Sequence, residues 1–271
     1  MNICILLPFK ENYANKGAGA VSLFVNDIIR ESIYEKTTMV YGNTKYKKYL
    51  SSNYKNVKFD QNFLQSSNYQ YVESFIKFND VRNSDLIEVH NRPKYINQIR
   101  KKYSNKIFLY FHNDPLAMNG SKTSLERMQL LNITDKLIFN SMWCRDRYFI
   151  DLKNKKELLK KTTICFQSAD KIKVNFKEKK KIISFVGKLN RAKGYDIFGK
   201  AIIKILDKHP SWSAKVYGDE PREKLIFKHK NLKMLGFKDN KTILEDLKKV
   251  SISVVCSRWE EPFGRTSLEA A

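Results

Sequence analysis

The chain has 271 residues, of which 51 are Lys or Arg and 28 are Asp or Glu, so its formal net charge is +23. A hydrophobic fraction of 42% and an aromatic fraction of 13% exclude a disordered basic tail, because such tails lack the apolar surface that offsets the entropy of ordering. No apolar stretch approaches the ~20 residues that span a bilayer, and no basic region of a secretory signal precedes the apolar segment after Met1. We therefore expect a globular cytoplasmic protein without a membrane span.

Apolar runs alternate with longer segments of helical period in the first part of the chain. The predicted strands are Ile3–Leu7, Thr38–Tyr41, Leu86–His90, Ile107–His112, Leu137–Asn140 and Thr162–Phe166. Helices are predicted at Ala20–Tyr34 and Lys94–Lys102. Continuous Val-, Ile- and Phe-rich strands between helices are typical of parallel sheets that are covered on both faces, so the predicted fold class is α/β.

A polar, basic segment without clear period, Asp170–Lys181, is predicted to be a linker, because a second alternation of strands and helices follows it. The predicted elements after the linker are the strands Ile182–Gly187, Ala214–Tyr217, Leu232–Leu235 and Ile252–Cys256, and the helices Asp196–Asp207, Ile243–Val250 and one that starts near Gly264. The sequence thus predicts two domains, at residues 1–170 and 171–271. Ligands of open parallel sheets bind beyond the carboxyl ends of the strands, which is where chemistry is expected.

Positive charge is spread along the whole chain, with 27 − 16 = +11 on residues 1–170 and 24 − 12 = +12 on residues 171–271. The cations are 40 Lys and 11 Arg, whereas base readout favours Arg, and no nucleic-acid-binding motif is present, so nucleic acid is not expected as a partner. The basic stretch Lys45–Tyr49 and the helix-like basic stretch Lys153–Lys161 are either solvated faces or contacts with an anionic membrane. His209 and His229 lie in Lys-rich surroundings and are predicted at the surface.

Three cations follow the strand that is predicted to end at Gly187. Lys188, Arg191 and Lys193 lie in one loop, and Gly194 precedes a predicted helix. Cations at the carboxyl end of a buried strand suit a polyanionic group such as a diphosphate. A solvated loop in a Lys-rich protein explains the same residues equally well.

The last predicted strand leads into a Glu-Pro-Phe-Gly turn, and a helix begins after it. Glu261 lies in this turn, seven residues separate it from Glu269, and Glu269 therefore lies one to two turns inside the helix. A carboxylate beside exposed backbone amides can accept hydrogen bonds from sugar hydroxyls, while the amides favour phosphate. The alternative is an ordinary helix with acidic residues near its N-terminus.

Several segments together resemble a known family. Trp259–Ala271 resembles the Glu-x7-Glu signature of retaining glycosyltransferases with the GT-B fold, in the large family usually numbered four. Phe185–Gly194 is similar to the loop whose Arg and Lys bind the donor diphosphate in that family, and Lys16–Ala20 resembles its N-terminal Gly-rich loop. Glu88–Pro93 and Phe111–Asp114 resemble a bacterial subgroup that includes the spore-coat protein SA-like transferases.

The resemblance implies two Rossmann-like domains that face a central cleft, with an acceptor-binding N-terminal domain and a C-terminal domain that binds the nucleotide sugar. Glu261 and His112 are implied as catalytic residues. The donor-binding residues that it implies are Gly17, Gly19, Lys188, Lys193, Phe263, Gly264 and Glu269, with Lys188 standing where the family usually has Arg. Further candidate contacts with acceptor or donor are His90, Arg92 and Arg265, although a structural role at the strand end is as good a prediction for His90.

The implied activity is metal-independent transfer from a UDP- or GDP-linked sugar to a hydroxyl of a glycan or lipid-linked acceptor, in polysaccharide or lipopolysaccharide synthesis of the cell envelope. No Asp-x-Asp motif indicates a bound metal, and no other cofactor is expected. Peripheral contact with the inner face of an anionic membrane suits such an acceptor. The alternative is a non-catalytic protein that binds a nucleotide sugar or polysaccharide. Family members continue beyond the segment that matches Glu269–Ala271, so the C-terminal domain is expected to be truncated.

Overall fold

The computed structural model describes residues 1–60 and 62–271. This part of the chain divides into two compact units, Met1–Gln167 and Ser168–Ala271. The predicted boundary lies between residues 170 and 171, and the roles predicted for the two domains stay predictions. None of the helices that the described residues form is long and apolar enough to cross a bilayer.

The first unit is an α/β unit built on one parallel sheet. Its described residues form the strands β1 (Ile3–Leu6), β2 (Thr38–Gly42), β3 (Tyr54–Asn56), β4 (Leu86–His90), β5 (Lys106–Phe111), β6 (Lys136–Phe139) and β7 (Thr162–Ile164). The helices of this unit are α1 (Ala20–Arg30), α2 (Ser67–Ile76), α3 (Asn79–Arg82), α4 (Pro93–Arg100), α5 (Ser124–Ile133), α6 (Met142–Tyr148) and α7 (Lys155–Leu158).

The strand order of this sheet is β3-β2-β1-β4-β5-β6-β7, and the strands pair in parallel. Side chains of a strand alternate between the two faces of a sheet, and β1 is buried on both. Cys4 and Leu6 therefore join one hydrophobic cluster, whereas Ile3 and Ile5 join a second cluster together with Phe24 of α1. The carboxyl ends of β4 and β5 lie side by side, which positions the residues that follow them.

The second unit repeats this architecture on a smaller scale. Its described residues form the strands β8 (Lys180–Val186), β9 (Ser213–Tyr217), β10 (Leu232–Gly236) and β11 (Val250–Val254), in the parallel order β10-β9-β8-β11. Its helices are α8 (Tyr195–Lys208), α9 (Asn240–Leu247) and α10 (Arg265–Ala270). Helix α8 packs on one face of the sheet, and α9 supplies Leu247 to the other. The predicted α/β class with two parallel sheets is confirmed.

Several predicted boundaries were wrong. The helix predicted over Ala20–Tyr34 ends at Arg30, and Ile33 beyond it is 91% exposed, so no apolar face continues. Helix α9 begins at Asn240 because the carboxylate of Asp239 accepts a hydrogen bond from the backbone N–H of Thr242 at 3.0 Å. The helix ends at Leu247, earlier than predicted, and Val250 starts β11 instead.

Other boundaries shift by a few residues, and some elements were not predicted. Strand β8 already begins at Lys180, inside the predicted linker Asp170–Lys181. Strand β7 stops at Ile164, before Phe166. The elements absent from the prediction are β3, α2, α3, α5 and α6.

Arg127 of α5 is a buried cation that holds the first unit together. Its side chain is 1% exposed. Nη1 donates to the carbonyl oxygens of Ser121 at 3.2 Å and Lys122 at 2.7 Å, and Nη2 donates to the carbonyl oxygen of Ile150 at 2.6 Å. The guanidinium thus ties the loop before α5 to the turn after α6.

Replacing Arg127 with Met is expected to lower the free energy of unfolding of the first unit by about 2–4 kcal/mol, because three carbonyl oxygens lose a charged donor. Arg145→Met is the matched control, since Arg145 pairs with its neighbour Asp146 near the surface and should cost less than about 1 kcal/mol. Urea unfolding of the full chain measures both. Equal costs would show that Arg127 has no special structural role.

Candidate functional site

The carboxyl ends of β8 and β9 meet through two glycines. Gly187 follows β8, and Gly218 follows β9 with φ = 127°. A Cβ on Gly218 would lie 1.9 Å from the carbonyl oxygen of Gly187, so only glycine lets these two backbone segments approach so closely. The two glycines thus lie, without side chains, at the edge of the sheet where ligands of parallel sheets bind.

The loop after β8 is fixed against the loop after β11. Gly194 caps α8 with φ = 72°, and a Cβ there would lie 1.9 Å from the carbonyl oxygen of Cys256. The backbone N–H of Arg258 donates to the carbonyl oxygen of Ala192 at 2.9 Å. The Arg258 guanidinium donates two hydrogen bonds of 2.8 Å to the carboxylate of Asp196 on α8. Lys193, just before Gly194, is therefore held in place.

Lys193 and Glu261 form an ion pair at this edge. Nζ of Lys193 contacts Oε1 of Glu261, and the Ser257 hydroxyl donates to the same oxygen at 2.6 Å. The side chains of Lys193 and Glu261 are 31% and 25% exposed, so the pair is half-buried. Burial raises the pKa of the Glu261 carboxyl, but the hydrogen bonds from Lys193 and Ser257 outweigh it and leave the pKa below its usual range. Glu261 is thus an anion neutralised by Lys193.

Glu269 is also engaged within the second unit. Its Oε1 accepts hydrogen bonds from Nε of Arg265 at 2.7 Å and from Nδ2 of Asn240 at 2.8 Å. The side chains of Glu269 and Arg265 are 8% and 10% exposed. Gly264 caps α10 with φ = 84°, and Phe263 beside it is half-buried. Glu261 thus lies in the loop before α10 and Glu269 inside α10.

Asn190 is a residue of this site that the sequence did not reveal. Its Oδ1 accepts a hydrogen bond from the backbone N–H of Lys193 at 2.9 Å, and its Nδ2 donates to the carboxylate of Glu220 at 3.4 Å. Two hydrogen bonds from the Arg222 guanidinium lower the pKa of Glu220 to about 2. The cation Lys188, by contrast, is exposed. The sequence signal that could have indicated Asn190 is its position inside the cationic loop, between Lys188 and Arg191.

The Gly-rich loop of the first unit leads into α1. Gly17 has φ = 81°, and a Cβ on Gly19 would lie 2.6 Å from Oε1 of Glu11. Oε1 of Glu11 also accepts hydrogen bonds from the hydroxyl and the backbone N–H of Ser22, at 3.1 and 3.4 Å. Burial raises the pKa of the Glu11 carboxyl, and the Ser22 hydrogen bonds and the charge of Arg92 oppose that rise. The Glu11 carboxyl therefore lies against Gly19 and Ser22 and feels the charge of Arg92.

His90 and His112 lie side by side at the ends of β4 and β5. Both residues are buried, and Nδ1 of His90 lies 2.9 Å from Nε2 of His112. Asn91 Oδ1 accepts a hydrogen bond from the His112 backbone N–H at 2.8 Å, and Nδ2 of Asn140 donates to the His112 carbonyl oxygen at 2.9 Å. The contact of 2.9 Å between the His90 and His112 rings supports the structural role predicted as the alternative for His90.

His229 was predicted at the surface, and this was wrong. Its side chain is 10% exposed, Nε2 lies 3.3 Å from Oδ1 of Asp207, and Nδ1 accepts from the backbone N–H of Asn231 at 3.0 Å. The Lys-rich surroundings misled the prediction, because the neighbouring lysines point outward while His229 packs inward. His209 is exposed as predicted. Among the described residues, no three His, Cys, Asp or Glu side chains are grouped so that they could hold a metal ion.

Comparisons with known proteins bear on both units. Residues 166–271 match the family of glycosyl transferases group 1. The chain is similar in structure to Anabaena Alr3699/HepE in complex with UDP-glucose, with a TM-score of 0.71, 14% identity, and coverage of 99% of this chain and 77% of that one. It is similar to the apo form of the lipopolysaccharide outer core galactosyltransferase WaaB, with a TM-score of 0.63, 14% identity, and coverage of 100% and 78%.

A third structural relative is an alpha-glucosyltransferase in complex with UDP-glucose and DNA containing an abasic site, with a TM-score of 0.62, 13% identity, and coverage of 100% and 77%. A search of curated proteins finds no match. Likeness at these identities shows the fold. The chain therefore has the GT-B fold, and its segment 166–271 matches the group 1 glycosyl transferases.

Proposed function

We propose that the chain is a retaining glycosyltransferase that moves a sugar from a UDP- or GDP-linked donor to a hydroxyl acceptor without a metal ion. The observation that carries this proposal is the pair of Lys193 and Glu261, with Ser257, at the carboxyl edge of the second sheet. It lies within the segment that matches the glycosyl transferases, and several structural relatives are bound to UDP-glucose or UDP.

In this proposal the diphosphate of the donor replaces Glu261 as the partner of Lys193. A diphosphate carries more negative charge than one carboxylate, so it competes with Glu261 for the ammonium group of Lys193. Glu261 is then released to accept hydrogen bonds from the donor sugar. Preorganised cations of this kind stabilise the charge that develops on a leaving group. Lys188 and the backbone amides around Phe263 and Gly264 add donors for the diphosphate and the sugar, and Glu269 contacts the ribose.

The first unit supplies the acceptor side of the proposed reaction. Gly17 and Gly19, which the resemblance assigns to the donor, let the donor phosphates and the acceptor approach the backbone of the loop before α1, which a Cβ would obstruct. His112 contacts a hydroxyl of the sugar or of the acceptor, and Arg92 is a further contact. The proposed setting is synthesis of cell-envelope polysaccharide or lipopolysaccharide, on a glycan or lipid-linked acceptor at an anionic membrane surface.

Donor turnover by the full chain tests this function. We expect the chain to release nucleotide from a UDP- or GDP-sugar. NMR of the anomeric proton should show that the product keeps the anomeric configuration of the donor. Lys193→Ala should reduce turnover by about 10- to 100-fold, the loss that follows from removing a charged hydrogen-bond donor. Lys200→Ala, on the exposed side of α8, is the matched control and should leave turnover unchanged.

Two outcomes would contradict the proposal. Nucleotide-sugar binding without turnover would favour the non-catalytic binding protein. Binding to DNA or RNA that falls steeply with salt and is not displaced by UDP would indicate a nucleic-acid ligand instead.

A further inference from the structure

A strip of polar side chains lies inside the first unit, on the face of its sheet that packs against α1. Glu88 and His90 point to this face from β4, two residues apart, and Tyr110 and His112 do so from β5 and the residue after it. These four residues are buried. The ring of Phe24 from α1 meets the ring of His112 edge-on, with their centroids 4.9 Å apart.

The strip runs from Glu88 to His112 through one long and one short contact. Oε2 of Glu88 lies 3.8 Å from Nε2 of His90, which is an electrostatic contact longer than a hydrogen bond, and Nδ1 of His90 lies 2.9 Å from Nε2 of His112. The Tyr110 hydroxyl donates to Oε1 of Glu88 at 3.5 Å, and the Tyr110 ring stacks on His90 at 4.4 Å. Nε2 of His90, which faces Glu88, and Nδ1 of His112, at the far end of the strip, are both buried without a hydrogen-bond partner among the residues that the structure describes.

The protonation state of Glu88 decides which ring nitrogens of His90 and His112 donate hydrogen bonds and which accept them. Burial lowers the pKa of His90 to about 3 and holds that of His112 well below its usual range, so both rings are neutral and carry one proton each. When Glu88 is ionised, it attracts the proton of His90 to Nε2, and Nδ1 of His90 then accepts from Nε2–H of His112. Nδ1 of His112 is left as an acceptor.

A protonated Glu88 reverses every step. Its O–H turns toward Nε2 of His90 and shortens that contact to a hydrogen bond, Nδ1–H of His90 donates to Nε2 of His112, and His112 carries its proton on Nδ1, which becomes a donor. The two states differ by one proton, gained at Nδ1 of His112 and passed inward as the Nε2 proton of His112 moves to His90 and that of His90 moves to Glu88. Neither imidazole becomes charged in either state.

We propose that Glu88 and His90 are positioning residues that fix the tautomer of His112. With Glu88 ionised, Nδ1 of His112 accepts a hydrogen bond from a sugar or acceptor hydroxyl, and it can take up the proton of that hydroxyl when Glu88 becomes the final proton acceptor. The identity of this ligand rests on the proposed function, whereas the coupling between Glu88, His90 and His112 does not.

The groups around Glu88 allow this switch near neutral pH. Burial raises the pKa of the Glu88 carboxyl to about 7, against the hydrogen bond from Tyr110. Burial and the charge of Glu88 raise the pKa of the Tyr110 hydroxyl, and the same two causes raise the pKa of the Cys165 thiol, so both groups stay neutral there. Helix α1 contributes the ring of Phe24 to this strip.

Imidazole ¹⁵N NMR of the full chain, without substrate, tests the coupling. The chain has 4 histidines, so His209→Gln and His229→Gln assign the remaining two signals. We expect His90 and His112 to remain neutral and to change tautomer together, with one midpoint near pH 7. Glu88→Gln should abolish the change. Asp114→Asn, which removes a carboxylate paired with Arg147 outside the strip, should leave the midpoint unchanged.

Three results would overturn the proposal: a wild-type protein whose tautomers do not change between about pH 6 and 8, two histidines that become charged at separate midpoints, or a Glu88→Gln protein that behaves like the wild type. If Glu88→Gln does not fold, His90→Asn keeps an amide facing His112 but ends the link to Glu88, and it should also abolish the switch. Because substrate is absent, failure of sugar transfer would leave these results unaffected.

Discussion

Replacing Glu261 with Gln is expected to tighten the binding of UDP and at the same time to reduce sugar transfer. The variant frees Lys193 from its half-buried ion pair, which is worth about 0.5–1 kcal/mol, so UDP should bind roughly 2- to 5-fold more tightly. Transfer should fall about 10- to 100-fold, because the sugar hydroxyls lose a charged acceptor. Calorimetry with UDP and donor turnover measure the two effects separately.

Glu260→Gln is the matched control for this variant, since the neighbouring carboxylate is exposed. It removes the same charge from the same loop and should change neither quantity. Weaker UDP binding in Glu261→Gln would mean that Glu261 does not compete with the diphosphate for Lys193. The exchange of partners in the proposed mechanism would then be wrong.

Replacing Gly194 with Ala is expected to destabilise the second unit by about 3–5 kcal/mol, because left-handed backbone strain adds to steric overlap. The new Cβ would lie 1.9 Å from the carbonyl oxygen of Cys256, and φ at this position is 72°. The overlap separates the loop after β8 from the loop after β11, so UDP binding should weaken as well. Denaturant unfolding and UDP calorimetry of the full chain measure both effects.

Gly236 provides a control with almost the same backbone conformation. Its φ is 67°, but a Cβ there would meet nothing within 4 Å. Gly236→Ala should therefore cost only the strain of the left-handed region, about 1–2 kcal/mol. Equal losses in the two variants would show that the contact between Gly194 and Cys256 does not hold the site together.

Much of the fold could be predicted from apolar periodicity. The runs that form β1, β4, β5 and β9 are short and mostly apolar, so their positions were clear in the sequence. Elements whose ends are fixed by side-chain hydrogen bonds were harder to predict. Helix α9, for example, starts where Asp239 caps it, and a buried cation stabilises α5 although Arg127 interrupts its apolar pattern.

The candidate site was predictable where chemistry and sequence position coincide. Lys193 and Glu261 stand in loops after predicted strands, and the structure brings these two together. Their mutual neutralisation could not be predicted, because it depends on a contact across 68 residues of chain. Glu88 left one readable signal, a carboxylate inside the otherwise apolar run Leu86–Val89. Its coupling to His112 requires the register of two neighbouring strands, which the sequence does not provide.

The central claim is that Lys193 binds the diphosphate of a nucleotide donor. Calorimetric titration of the full chain with UDP and with uridine tests it directly, because only UDP carries the diphosphate. We predict that Lys193→Ala weakens UDP binding about 10-fold or more and leaves uridine binding unchanged. Equal affinity of UDP for the wild type and for Lys193→Ala would contradict the claim, as would a chain that binds neither UDP nor GDP.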